Sequence, residues 1–415
     1  MNKLNKKIFG TLFFSIFAAV TGVGIVVPLL PVYAHDLGAT GIYIGLIFGA
    51  FSLSRTFFLP YFGRLSDKKG RKPFIVAGLL TYALISFLFL FADNVAALIA
   101  VRFFHGISSA MMMPVILAYV GDITPNGREG LTMGMFNMAM FLGLSLGPLV
   151  GGVIKDDFGL NVSFICMGFL ALTGFLLTLF LLPPKKSEHI ICSQNSLIPW
   201  KQLLKDRNVA GLYIFRFSYA TCIGIIWGFL PVLADSELSL SSSSIGILVM
   251  IGVFVSGALH VPMGYLADRV NKKAMVVTGG VISGLGIFAF DWVKSFNDLF
   301  IANVFFGIGG GISISALMAL AVIQGNKSKA MGSIMGLLTM AHSMGMLLGA
   351  LCAGMIMDAF QLRLAFPFGT VIMISGALIF FICTHQKSEV KGRRSEVGDQ
   401  KAEIRRQKSK GIGDL

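Results

Sequence analysis

Twelve apolar runs, each long enough or nearly long enough to cross a lipid bilayer, leave this chain few folds to choose from. They fall at 9–34, 41–62, 74–92, 95–120, 131–154, 162–182, 209–233, 244–266, 274–290, 298–323, 331–357 and 364–384. About 20 residues of helix span the hydrocarbon layer. Within that layer every backbone N–H and C=O must be paired inside its own helix or around a closed barrel. Barrel strands alternate apolar and polar residues, and no such alternation occurs here. The expected class is therefore an all-α integral membrane protein with twelve transmembrane helices. Composition agrees, with 55% hydrophobic and only 13% charged residues and a mean hydropathy of +0.80. A soluble domain carries about 25% charge.

A formal net charge of +14 raises the question of nucleic acid, and its distribution argues against one. With the amino terminus inside, 28 of the 34 Lys and Arg fall on the cytoplasmic side. Lys155, Lys294 and Arg363 fall outside, and Arg55, Arg102 and Arg216 fall within helices. The acids divide 11 inside and 9 outside. That asymmetry is the positive-inside pattern, which counts Lys and Arg and largely ignores acids. It places both chain ends in the cytoplasm and adds some attraction to anionic lipid heads. The opening MNKLNKK and its long apolar run read as a retained helix, since the run is too long for a signal peptide. Cys166, Cys192, Cys222, Cys352 and Cys383 fall in helices or the cytoplasmic loop, so no extracellular disulfide is expected.

The chain repeats itself. GRLSDKKGRKP at Gly63–Pro73 recurs in degraded form as GYLADRVNKK at Gly264–Lys273, 201 residues on. Pro31 in LLPVYA matches Pro231 in FLPVLA, RFFHGI from Arg102 matches NVFFGI from Asn303, and MGMFNMAMFLGLSLG from Met133 matches MGLLTMAHSMGMLLG from Met335. These offsets of 200, 201 and 202 in chain order mark a tandem duplication. Six helices per copy give both copies the same orientation, related by an axis along the membrane normal. The expected organisation is a six-helix bundle at 1–183, a cytoplasmic linker at 184–208, a second bundle at 209–385 and a basic disordered tail at 386–415. In the linker, Trp200, Leu203 and Leu204 interleave with Lys201, Lys205 and Arg207. They suit either a short interfacial helix or a solvated connection.

On these residues the chain resembles the major facilitator superfamily over nearly all of 1–385, and within it the twelve-helix drug–proton antiporter (multidrug efflux) branch. GRLSDKKGRKP is similar to the family signature between helices 2 and 3, roughly G-x-L-a-D-r-x-G-r-k. Gly63 is expected to let backbones approach closely and Gly70 to support a tight turn. The resemblance implies a conformational latch: Asp67 against the start of helix 11, near Ser328, and Arg71 paired with Asp122 at the end of helix 4. Topological anchoring alone explains Lys68, Lys69 and Lys72, but not Gly63, Asp67 and Gly70 at these spacings. Arg102 and Gly106 resemble the family's helix 4 motif, whose arginine is linked to proton transfer in proton-coupled relatives. GLSLGPLVGG resembles the helix 5 signature of antiporters. Its Gly143, Gly147 and Gly151 share one face for close packing, Pro148 can bend the helix, and Gly152 completes the pattern. GIVVPLLPVYA in helix 1 resembles the efflux branch, yet it lacks the acid that often precedes the Val–Pro there.

No acid falls clearly inside a helix, so histidine is the alternative titrating group. His342 lies about 16 Å into helix 11, His105 sits one turn from Arg102, and His260 lies near the inner end of helix 8. Arg102, His105 and His342 are the candidates for proton or substrate coupling, against a packing role for each. Arg55 and Arg216, about 10–12 Å from the inner surface, either snorkel or face the cavity. In the second case they favour an anionic or neutral substrate. Thr21, Asn137, Tyr219, Trp227 and Asn303 are the candidate cavity liners. The Met111–Met113 and Met133–Met140 clusters fit adaptable packing better than soft-metal binding.

The reading is a secondary transporter that exports a small molecule, drug-like or metabolic, by alternating access in exchange for protons across the inner or plasma membrane. It is not expected to be an enzyme. No cofactor, metal or nucleic acid is expected, and a monomer in the lipid bilayer suffices. An uncoupled or differently coupled sugar or metabolite facilitator is the alternative on the same fold. A non-transporting membrane sensor or assembly partner is the distant one.

Overall fold

The computed structural model describes residues 3–123, 129–183, 203–328 and 331–385. Twelve membrane-length helices run through them. The first six are α1 (Lys3–Asp36), α2 (Gly41–Lys69), α3 (Arg71–Leu88), α4 (Val95–Ile123), α5 (Glu129–Phe158) and α6 (Leu160–Leu181). The second six are α7 (Arg207–Ser236), α8 (Ser242–Arg269), α9 (Lys272–Ala289), α10 (Phe296–Ser328), α11 (Met331–Ala359) and α12 (Leu362–His385). An even number of crossings puts Lys3 and His385 at one end of the molecule, the termini end. The opposite end is the far end.

In the first bundle α1 packs on α5 and α6, α2 on α4, and α3 on α4 and α6. The second bundle repeats this, with α7 on α11, α8 on α10 and α9 on α10. Between bundles, α2 meets α11, α5 meets α8, and α1 meets α7. The central helices α1 and α7 are the most deeply buried of the twelve spans. Pro28, Pro31 and Pro231 lie inside these helices without interrupting them.

The duplicated turn has diverged in an informative way. Gly70, between α2 and α3, has φ +92°, a backbone conformation that costs other residues heavily. Its counterpart Asn271 keeps φ −67° and caps α9 with its side chain, accepting from the N–H groups of Lys273 and Ala274. At the linker's end Leu203 is buried in an apolar core, so it faces protein rather than lipid heads. Asp206 caps α7 by accepting from the Asn208 N–H at 2.9 Å, and it accepts from Gln324 Nε2 at 2.7 Å. Trp200, Lys201, Cys192 and the tail lie outside the described residues.

The backbones of the two bundles approach most closely along the far half of the molecule. A Cβ on Gly41 or Gly45 of α2 would strike the carbonyls of Gly354 or Ala350 of α11, and one on Gly49 would come within 2.7 Å of Leu347. Gly152 of α5 and Gly246 of α8 abut Ser242 and Pro148 in the same way. Toward the termini end the contacts stop, and Gly63, Gly264 and Gly336 have nothing within 4 Å of a Cβ position. The close approach expected at Gly63 is therefore absent in this conformation.

Candidate functional site

The helix 4 arginine lies inside the first bundle, not on an open cleft. Arg102 is 4% exposed, with its guanidinium 4.6 Å from the Phe51 ring centre and 5.3 Å from that of Phe48. Its Nε donates to the Ile47 carbonyl at 3.4 Å, and its Nη1 lies 3.5 Å from His105 Nδ1. Aromatic faces thus supply the negative potential that a carboxylate would otherwise give. His105 is fully buried, its ring centre 4.1 Å from that of Tyr82. Neither His105 Nε2 nor the Tyr82 hydroxyl has a hydrogen-bond partner.

Several expected liners are likewise packed within bundles. Thr21 turns toward Gly143 of α5 and donates to the Phe17 carbonyl at 2.7 Å. Tyr219 stacks on Phe306, centres 5.5 Å apart, with its hydroxyl against Gly310. Asn303 is 2% exposed beside Gly252, with Nδ2 unpartnered. These three therefore line no open space here. Each turns toward a neighbouring helix of its own bundle. Trp227 is half-buried against an apolar core. The side chain of Asn137 lies outside the described residues.

A different set stands at mid-depth. Arg55 of α2, Arg216 of α7 and His342 of α11 are all half-buried. Each lies about 12–14 Å from the termini end of its apolar span. The helix of His342, α11, packs on both α2 and α7. Arg55 Nε, Arg216 Nε and His342 Nδ1 are sealed from solvent and have no hydrogen-bond partner among the described residues. They lie just on the termini side of Gly49 and Leu347, where α2 and α11 part. His260 of α8 completes the layer, its ring 4.8 Å from that of Phe141 across the bundle seam and its Nδ1 2.5 Å from the Ser256 carbonyl.

The helix 5 glycines form the α1–α5 seam. Gly147 would carry a Cβ within 2.6 Å of Gly24 Cα, and Gly151 within 2.7 Å of Ile25 Cα. Gly152 and the Pro148 carbonyl face the other way, onto α8. In the charged turn Arg71 is buried and donates to Ser66 Oγ at 3.2 Å. The side chains of Asp67 and Asp122 lie outside the described residues. Ser328 is the last residue of α10, its hydroxyl donating to the Gln324 carbonyl, while α11 starts at Met331.

Two acids that sequence reasoning passed over hold the far end together. Asp358, at the end of α11, accepts from the N–H groups of Gly41 at 2.5 Å and Ile42 at 2.8 Å, capping α2. Thr40, the residue before α2, offers no side-chain cap of its own. Asp156, at the end of α5, accepts from the N–H groups of Ser242 at 3.1 Å and Ser243 at 2.7 Å, capping α8. Each bundle thus places a carboxylate on the positive end of a helix in the other. The two acids sit at one offset in the repeat, 202, and that correspondence was the available signal. Elsewhere, a groove of about 640 Å³ lined by Lys272, Lys273, Phe381 and His385 lies at the termini end of the second bundle, apart from these residues.

Two six-helix bundles built from a tandem repeat and packed against each other are an architecture of secondary membrane transporters. The profile of the Major Facilitator Superfamily matches residues 12–233 and again 212–412. The chain belongs to that family. An uncharacterized MFS-type transporter of Methanocaldococcus jannaschii is 30% identical over 386 residues, 92% of this chain and 99% of that one. Quinolone resistance protein NorA of Staphylococcus aureus is 30% identical over 309 residues, 71% of this chain and 69% of NorA. Among solved structures, a bacterial homolog of the human lysosomal transporter Spinster, inward-facing and occupied, is alike in fold. Its TM-score is 0.78 over 93% of this chain and 98% of that one, at 14% identity.

Proposed function

We propose that the chain exports a small molecule across the cytoplasmic membrane in exchange for protons, acting as a monomer with both ends in the cytoplasm. The termini end is then the inner face, and the conformation described is inward-open. The observation that carries this reading is the asymmetry of the bundle seam: paired glycine contacts and carboxylate caps join the far half, Gly63, Gly264 and Gly336 stand clear on the termini half, and unpartnered polar atoms lie at mid-depth. Similarity to NorA, a quinolone resistance protein, and the glycine-rich α1–α5 seam favour export. In the outward-open state Asp67 engages the start of α11 while Asp156 and Asp358 release their helices. His342, at the cleft's inner limit, is the titrating group, with Arg102 and His105 behind it as a second candidate pair.

The test is transport by inside-out vesicles holding an imposed pH gradient. Addition of a transported compound dissipates the gradient if export is coupled to protons, and His342→Gln uncouples it. Substrate movement with the gradient intact would favour the second reading, an uncoupled facilitator. That reading draws on the lack of a mid-helix carboxylate in the sequence.

A further inference from the structure

We infer that Arg55, Arg216 and His342 form the binding site for an anionic group of the transported molecule, making the cargo an organic anion. This deepens the export reading and rests on its central cleft. A guanidinium cannot be deprotonated in a protein, so Arg55 and Arg216 bring two permanent charges to mid-depth. Taking such a charge out of water is costly unless an opposite charge meets it. Among the described residues no carboxylate, carbonyl or hydroxyl accepts a hydrogen bond from either guanidinium. The described aspartates lie near helix ends, and Asp156 and Asp358 are already engaged at the far side. Arg102, by contrast, has its aromatic faces and a backbone carbonyl. Of the three arginines set within the spans, Arg55 and Arg216 are therefore left without a hydrogen-bond partner among the described residues, and both lie at mid-depth.

The fold itself does not ask for charge at these places. The repeat offsets put Ser256 opposite Arg55, Ile16 opposite Arg216 and Met140 opposite His342. The same backbone positions are thus built without a cation in the other copy. Each of the two arginines keeps its Nε sealed within protein. Arg55 belongs to one bundle and Arg216 and His342 to the other. A carboxylate or phosphate held by both arginines in fork geometry would draw the parted helices together, so that occupancy itself favours closure of the inner side.

The experiment compares two fluorescent probes on full-length protein in lipid nanodiscs: carboxyfluorescein as the anion and ethidium as the cation, each read by anisotropy. The expected result is saturable binding of carboxyfluorescein, weakened by salt, with ethidium binding weaker or not at all. The double variant Arg55→Gln/Arg216→Gln should lose roughly tenfold or more in anion affinity, while Arg216→Lys in the wild-type background loses less. Tighter binding of ethidium than of carboxyfluorescein, or no anion binding by the wild type, overturns the assignment without needing any variant to fold. So does unchanged anion affinity in the double variant. The vesicle experiment reads a separate quantity. A protein that binds the anion but leaves the pH gradient intact keeps this site and loses proton exchange, and a proton exchanger that prefers ethidium does the reverse.

Discussion

At the scale of single residues, the far-side aspartates make the sharpest claim. Asp358 supplies the cap that Thr40 does not, through two charge-assisted hydrogen bonds to Gly41 and Ile42. Loss of a helix cap costs about 0.5–2 kcal/mol, so Asp358→Asn should speed amide exchange in the first turn of α2 severalfold. Hydrogen exchange read by mass spectrometry measures this, and protection equal to wild type would mean the cap does not hold the seam. Asp156→Asn should act likewise on Ser242 and Ser243 of α8. Neither role was legible in the sequence, because an acid at the end of a helix looks like any solvated loop residue. What makes it a clasp is the helix start opposite, and only the packing of two bundles reveals that. Arg102 was visible as an expensive residue, but its aromatic surroundings were not, since Phe48 and Phe51 sit on a different helix.

At the scale of helices, three glycines separate packing within a bundle from packing between bundles. A Cβ at Gly147 meets the backbone of Gly24 in its own bundle, and neither backbone can yield. Gly147→Val should therefore destabilise every conformation and lower the thermal midpoint by several degrees. Gly45 meets Ala350 of the other bundle, so Gly45→Val should leave the bundles folded and drive the far seam apart. Gly63 touches nothing here, and Gly63→Val should hold the molecule in the conformation described if α11 closes on it in the other state. Distances between spin labels on the two ends of α2 and α11 distinguish these outcomes. A shift of the same sign for Gly45→Val and Gly63→Val would contradict the two-sided seam. Sequence periodicity could name these glycines but not their partners. Helices that are apolar on every side, as lipid demands, carry no amphipathic stripe to say which face meets protein. The same blindness hid that Thr21, Tyr219 and Asn303 turn into their bundles in this conformation.

At the scale of the whole molecule, the twelve spans and the repeat were readable because both rest on long-range regularities: about 20 residues per crossing and matching segments 200 to 202 residues apart. The direction in which the cleft opens was not, since it depends on which half of α2 touches α11. The reciprocal aspartate caps carry a consequence for how such a chain arose. Because the helix 5 acid of one half clasps the second helix of the other, and the helix 11 acid returns the gesture, a lone six-helix precursor with that acid already possessed a self-complementary surface. Two free copies would pair about a twofold axis through these clasps alone. Severing the chain within 184–202 and co-expressing the pieces should therefore regenerate the paired assembly, recoverable by affinity capture of either piece. Mutating both acids to alanine should weaken that reunion far more than it weakens the intact chain.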